Sequence, residues 1–220
     1  MAKIKLISAN EFKRVPWKNG KGETIELAIS EGGELGGFDW RLSIAKVSEN
    51  GAFSNFPNIT RNLVLIEGVH LALHHDTTFV TDEDGKPLEP LGQPKTDVLN
   101  ELLSFATFDG GTMTHGEVTA GAIVDFNMMH NANKYHGQLE TYLAPTEVSL
   151  AESELTFVFQ VPNDDVFSLG QQVTNSYFQL NSDTESTLMP SGDLLQLTDV
   201  KQGAFSVVGE RLIVITLNKR

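Results

Sequence analysis

Two strand-like segments carry the side chains with the most chemistry to offer. In Phe38-Asp39-Trp40-Arg41-Leu42-Ser43-Ile44-Ala45, a period of two sets Arg41, Ser43 and Ala45 on one face and Trp40, Leu42 and Ile44 on the other. Along Ile123 to Met129 the same period puts Ile123, Asp125, Asn127 and Met129 opposite Val124, Phe126 and Met128. Where those polar faces look into one interior, Arg41 offers a planar fork of donors and Asn127 an amide, a combination suited to a carboxylate. Arg61 adds a second cationic group, and Trp17 or Trp40 a flat apolar wall. Asn19 stands in the turn Asn19-Gly20-Lys21-Gly22, whose backbone N–H groups can cradle an anion. The candidate ligand-binding set is therefore Trp17, Asn19, Trp40, Arg41, Ser43, Arg61, Asp125 and Asn127, and it suits a small anionic metabolite of dicarboxylate or acylated amino-acid type. Each member also has a plainer use. An arginine on a strand pairs with an acid such as Asp39 or Asp125, a tryptophan fills a core, and Asn-Gly forms turns.

To hold such faces in register the chain needs strands, and its pattern is that of an all-β protein. Glycine and turn residues recur about every ten residues between short stretches rich in Val, Ile, Leu, Phe and Thr. Val69, Leu71 and Leu73 alternate with His70, Ala72 and His74, and Leu155, Phe157, Phe159 and Val161 alternate with Thr156, Val158 and Gln160. Arg211 to Leu217 is apolar almost throughout, as in a strand covered on both faces. Asp97 to Leu103, with Thr96 as N-cap, is the best helical candidate. Asp82-Glu83-Asp84-Gly85 reads as a hairpin turn on a solvated edge. Two stretches look like copies of one plan: Asn62 to Gly68 leading into an alternating strand, and Leu155 to Val161 followed by Pro190-Ser191-Gly192-Asp193 before an apolar run. No proline- or serine-rich linker divides them, so the expectation is one unit, 1–220, of two closely packed β-barrel halves, roughly 1–115 and 116–220.

The 16 basic and 29 acidic residues leave a net charge of −13, which repels phosphate backbones and anionic lipid and argues against nucleic-acid or membrane partners. There is no cysteine, hence no disulfide, thiolate ligand or cysteine nucleophile. The opening twenty residues lack an apolar run of signal-peptide length, and the expected location is the cytoplasm.

Four blocks resemble the HutD/Ves family. They are Pro16-Trp17-Lys18-Asn19-Gly20-Lys21-Gly22-Glu23-Thr24-Ile25-Glu26; Phe38 to Ala45; Gly51-Ala52-Phe53-Ser54-Asn55-Phe56-Pro57 with Arg61; and Gly121 to Met129. They fall in family order between residues 16 and 129, with Lys21 where the family more often has glycine. The resemblance implies a bicupin fold, the Pro190-to-Asp193 turn being similar to a cupin turn. It also implies a link, for HutD itself, to histidine utilisation, and a proposed ligand like formylated or formimino glutamate. The Ves branch is named for stress or cold induction.

Metal-dependent cupins present two histidines one residue apart, then a glutamate and a later histidine, a donor set that suits Fe, Mn, Ni or Zn. None of His70, His74, His75, His115, His130 and His136 forms such a pair. His70 and His74 would stand about 13 Å apart on one strand, while His130 and His136 flank a loop. No metal and no cofactor is expected. The residues leave three functions open. The first, favoured here, is a binding protein that senses or buffers the metabolite. The second is an atypical cupin isomerase or hydrolase acting on a related compound, either metal-independent or using an atypical site, with Asp125 as general base. The third is a stress-related interaction protein. Cupin analogy adds a homodimer as an expected assembly.

Overall fold

The computed structural model describes residues 2–17, 22–76, 78–81, 87–91, 94–163, 177–182 and 184–220. The chain runs through β1 (Lys3–Ile7), β2 (Lys13–Pro16), β3 (Glu23–Ile29), β4 (Trp40–Val47), β5 (Gly51–Ala52), β6 (Ile59–Glu67) and β7 (Leu71–His75). It continues with β8 (Thr78–Thr81), β9 (Pro87–Leu91), β10 (Lys95–Leu99), β11 (Phe105–Asp109), β12 (Thr114–Glu117), β13 (Ile123–Asn131) and β14 (Tyr135–Tyr142). The remainder is β15 (Thr146–Ser149), β16 (Ser153–Gln160), β17 (Tyr177–Ser182), β18 (Ser186–Pro190), β19 (Leu194–Val200), β20 (Phe205–Gly209) and β21 (Leu212–Lys219). A 3-10 turn at Ala9–Glu11 is the one helical element among the described residues, none of which forms a helix able to cross a membrane.

Two sandwiches arise from these strands. In the first, a sheet ordered β11-β6-β13-β4-β3-β2 covers one ordered β10-β7-β12-β5, with Leu63, Leu65, Leu71, Leu73, Leu99 and Ile123 between them. In the second, β1-β19-β16-β21-β14 covers β15-β20-β17-β18 over Val158, Phe178, Leu180, Leu195, Val207 and Val214. The two large sheets then pack face to face. Leu42, Ile44, Val64 and Phe126 from the first meet Phe157, Phe159, Ile213 and Ile215 from the second, forming the bicupin of two closely packed halves. Trp40 lies 4.9 Å from Phe157 and Phe126 lies 5.5 Å from Phe159, ring centre to ring centre.

This third apolar layer explains why β16 and β21 are apolar on both faces. Along β16, Phe157 and Phe159 enter the seam while Val158 enters the second sandwich, so the strand read as alternating is covered on both sides. In β21, Ile213 and Ile215 face the seam and Leu212 and Val214 face the sandwich. Gly68, after β6, has φ +96°, and a Cβ there would lie 2.7 Å from Ile123 Cγ2. It therefore forms the expected turn where a side chain would collide.

Two expectations are corrected. The segment read as a helix at Asp97–Leu103 contributes β10, whose Lys95–Leu99 pairs antiparallel with His75–Leu71. An available sheet edge overrides a weak local helical preference there. Val69 is 59% exposed in the turn, so the strand begins at Leu71. β12 spans Thr114–Glu117, pairing carries the first sheet to Asn131, and β1 pairs with β19 of the second large sheet. The acidic stretch at 82–85 lies outside the described residues, between the paired strands β8 and β9.

His130, at the end of β13 beside the loop it flanks, is buried, its Nδ1 without a partner. Burial pushes its imidazole down to about 4, with charge from His136 and Arg220 adding to the effect. The folded pKa lies below the free value of about 6.5, so protonation favours the unfolded chain. Stability from this group is whole above about 6.5 and falls as pH drops toward 4. Urea titrations at about pH 7 and about pH 4.5 should show this loss, diminished in His130→Gln. An equal acid loss in the variant would assign the effect to other groups.

Candidate functional site

Antiparallel register gathers the polar face inside the first sandwich. Across β4, β13 and β6, Arg41 pairs with Met129 and Met129 with Arg61, so the two arginines belong to one row. The next row runs Glu26, Ser43, Asn127 and Leu63, from β3 through to β6. Ala45 and Asp125 form the row beyond it. Arg41, Ser43, Arg61, Asp125 and Asn127 all line one cavity of about 720 Å³, together with Trp17, Phe53 and Phe56. Leu35, Glu49 and Asn50 stand exposed at its rim.

Each cation is held from behind. Arg41 Nε donates to Glu26 Oε2 at 2.7 Å, and its Nη1 lies 3.5 Å from Ser43 Oγ. Arg61 Nη1 donates to the Ser54 carbonyl at 3.2 Å, and its guanidinium carbon sits 5.2 Å from the Phe53 ring centre, 5.8 Å from Phe56 and 5.2 Å from Phe108. Three aromatic faces around a desolvated guanidinium stabilise its charge and fix its plane. Burial pulls the Arg61 pKa down to about 10, opposed by the charge of Asp125 and assisted by that of Arg41; the group stays cationic at neutral pH.

A directional chain leads on from Arg61. Its Nη2 donates to Asn127 Oδ1 at 2.7 Å, and Asn127 Nδ2 donates to Asp125 Oδ1 at 2.5 Å. A guanidinium has no acceptor, so Asn127 must turn its oxygen to Arg61 and its amino group to Asp125. Asp125 is fully buried, and burial raises its carboxyl to about 7 against the opposing effects of Arg61 and Asn127. Asp125 Oδ2 and Arg61 Nε have no hydrogen-bond partner.

Trp17 belongs to the cavity wall, its Nε1 donating to Thr24 Oγ1 at 2.9 Å. A Cβ on Gly22 would lie 3.1 Å from the Trp17 ring, so chain and indole pack closely there. Trp40 does not join the site. It points into the seam against Phe157, as the period of two along β4 demands once Arg41 faces the cavity. Asn19 lies outside the described residues. Strand alternation missed Glu26, Phe53 and Phe56. Glu26 was legible from its spacing to Thr24 on β3, whereas the two phenylalanines reach Arg61 from a segment between strands that no period describes.

The histidines are scattered through the fold. His74 contacts Glu117 at 3.0 Å near the surface, and His75 lies in the interior between Thr114 at 3.0 Å and Asp97 at 3.2 Å. Among the described residues, no group of three His, Cys, Asp or Glu side chains is arranged to hold a metal. In the second sandwich Val158, Phe178 and Leu195 belong to an apolar core among the described residues.

Comparison with known proteins places the chain among related sequences. The HutD family model matches residues 9–207. An uncharacterized 21.2 kDa protein from the hutC 3′ region of Pseudomonas putida is 30% identical over 173 residues, 79% of this chain and 82% of the relative. Protein Ves of Escherichia fergusonii is 30% identical over 127 residues, covering 56% of this chain and 57% of that protein. HutD from Pseudomonas fluorescens, solved in a formate condition, superposes with a TM-score of 0.69 at 25% identity, over 99% of this chain and 100% of that one. A conserved Pseudomonas aeruginosa protein of unknown function gives 0.73 at 22% identity, over 98% and 99% of the two chains.

Proposed function

We propose, from the premise that this chain belongs to the HutD family, that its first-half cavity binds a small carboxylate metabolite of the formylated or formimino-glutamate kind. In this reading the protein senses or buffers that compound in the cytoplasm, and works without nucleic acid or membrane. The observation that carries it is the pair of buried arginines, Arg41 and Arg61, in one cross-strand row beside Ser43 and Asn127. Burying two cations at one cavity is costly unless something anionic repays them, and the nearby acids offer limited compensation. Glu26 is committed to Arg41, and Asp125 reaches Arg61 through Asn127 rather than directly. The cavity volume of about 720 Å³ is ample for an acylated amino acid. The hutC-region origin of the Pseudomonas putida relative supports a setting in histidine breakdown.

The test is a thermal-shift series on chelator-treated protein with N-formyl-L-glutamate, glutarate and formate. Ligand at a hundredfold over its dissociation constant adds about 2.7 kcal/mol of stability. The expected result is a shift with the acylated glutamate that Arg41→Ala removes. No shift with any of the three carboxylates, or an undiminished shift in the variant, overturns the assignment. A second reading has its own support in Asp125: a buried carboxyl raised to about 7 with a free oxygen has the character of a general base. Turnover of a bound carboxylate, lost in Asp125→Asn, would favour that enzyme reading.

A further inference from the structure

We propose that Asp125 binds the ligand as a neutral carboxylic acid, its Oδ2–H donating to an acceptor on the ligand, so that the anion enters the cavity together with one proton. Resting on the binding reading above, this adds a feature to the ligand: an acceptor oxygen set apart from the carboxylate that the arginines hold. An acyl or amide carbonyl has that character, and a simple monocarboxylate such as formate does not.

The donor and acceptor directions leave little choice. Arg61 can only donate, which fixes Asn127 Oδ1 toward it and Asn127 Nδ2 toward Asp125 Oδ1. Asp125 Oδ1 is thereby an acceptor, and Oδ2, buried and without a partner, is the oxygen left to carry a proton. An ionised Oδ2 would repel a carboxylate in the same cavity, whereas a protonated one supplies a donor to it.

The balance of charge points the same way. The ionisable groups lining the cavity with Asp125 are Arg41 on β4, Arg61 on β6 and Glu49 at the rim, and Glu26 on β3 neutralises Arg41. Lys46 and Glu67 flank Asp125 on β4 and β6 but pair with Val124, and Glu67 acts on Arg211 of the second half. On the opposing sheet, the interior His75 is engaged by Thr114 and Asp97, with Lys95 on the same aspartate. With Asp125 ionised, the inner group of Arg41, Glu26, Arg61 and Asp125 sums to zero. With Asp125 protonated, it carries one positive charge for the anion. The burial that raises this carboxyl to about 7 makes the proton available at neutral pH.

Isothermal titration of the full chain with N-formyl-L-glutamate, at about pH 8 in two buffers of different ionisation enthalpy, reads the proton directly. Uptake of about one proton per ligand is expected, with affinity falling about tenfold per pH unit above 7. Asp125→Asn keeps a neutral donor at this position. It should bind at about pH 8 at least as tightly as the wild type, without the proton uptake or the steep pH slope. Binding without proton uptake, or a variant that keeps the wild-type slope, overturns the neutral-acid assignment and leaves the binding reading standing. Failure of the wild type to bind N-formyl-L-glutamate and glutarate at any pH overturns both. Carboxyl carbon-13 titration of the wild type gives a readout independent of the variant's folding: the Asp125 signal should titrate near neutrality alone and stay protonated at about pH 8 with the probe bound.

Discussion

Arg61→Met should weaken binding of N-formyl-L-glutamate by a factor of about a hundred or more, measured by isothermal titration at neutral pH. Truncating one member of a buried, hydrogen-bonded charge pair costs roughly 2–5 kcal/mol, which spans that factor and beyond. Methionine retains much of the apolar stem that packs among Phe53, Phe56 and Phe108, so the loss reports the guanidinium more than the space it fills. Asn127 Oδ1 loses its donor in the same step, and Asp125 loses the nearby positive charge that opposes its raised pKa. The variant's Asp125 carboxyl should therefore titrate above about 7. Wild-type affinity in a folded Arg61→Met protein would remove Arg61 from the site.

Phe126→Ala carries the largest expected effect on stability, a loss of about 3–5 kcal/mol in urea unfolding. Phe126 is fully buried on β13, and its ring lies 5.5 Å from Phe159 across the seam between the halves. Its strand neighbours Asp125 and Asn127 face the cavity, so the same β13 segment joins the halves and positions the site. Val98→Ala, at a position 49% exposed, is the matching control and should change stability by less than about 0.5 kcal/mol. A loss below about 1 kcal/mol for Phe126→Ala would show that the seam does not hold the halves together as its burial indicates.

The seam and the site are two faces of the same sheet, and this decides how much of each was legible. A period of two along β4 and β13 separates Arg41, Ser43, Asp125 and Asn127 from Leu42, Ile44 and Phe126 in the sequence itself, and the folded sheet keeps that separation. Trp40 marks the limit of residue type as a guide to the site. As an aromatic beside Arg41 it was a plausible wall, but its parity sends it to Phe157. The Asp97–Leu103 segment shows the opposite limit, since its local pattern suggested a helix and β7 offered a hydrogen-bonded edge. Edge pairing depends on a strand more than twenty positions away, which no local window contains.

The amino-acid order by itself determined the strand-rich architecture, the two-half plan, the family blocks and the parity that places polar and apolar side chains on opposite faces. These are properties of adjacent residues, read through a backbone whose side chains alternate. Tertiary structure alone decided that Arg41 and Arg61 fall in one row, that Glu26 backs the first while Phe53, Phe56 and Phe108 surround the second, and that Asn127 hands the hydrogen-bond chain to a fully buried Asp125. Register between distant strands and loss of water around a carboxyl are set by what packs against what, and so they arise only when the sheets close.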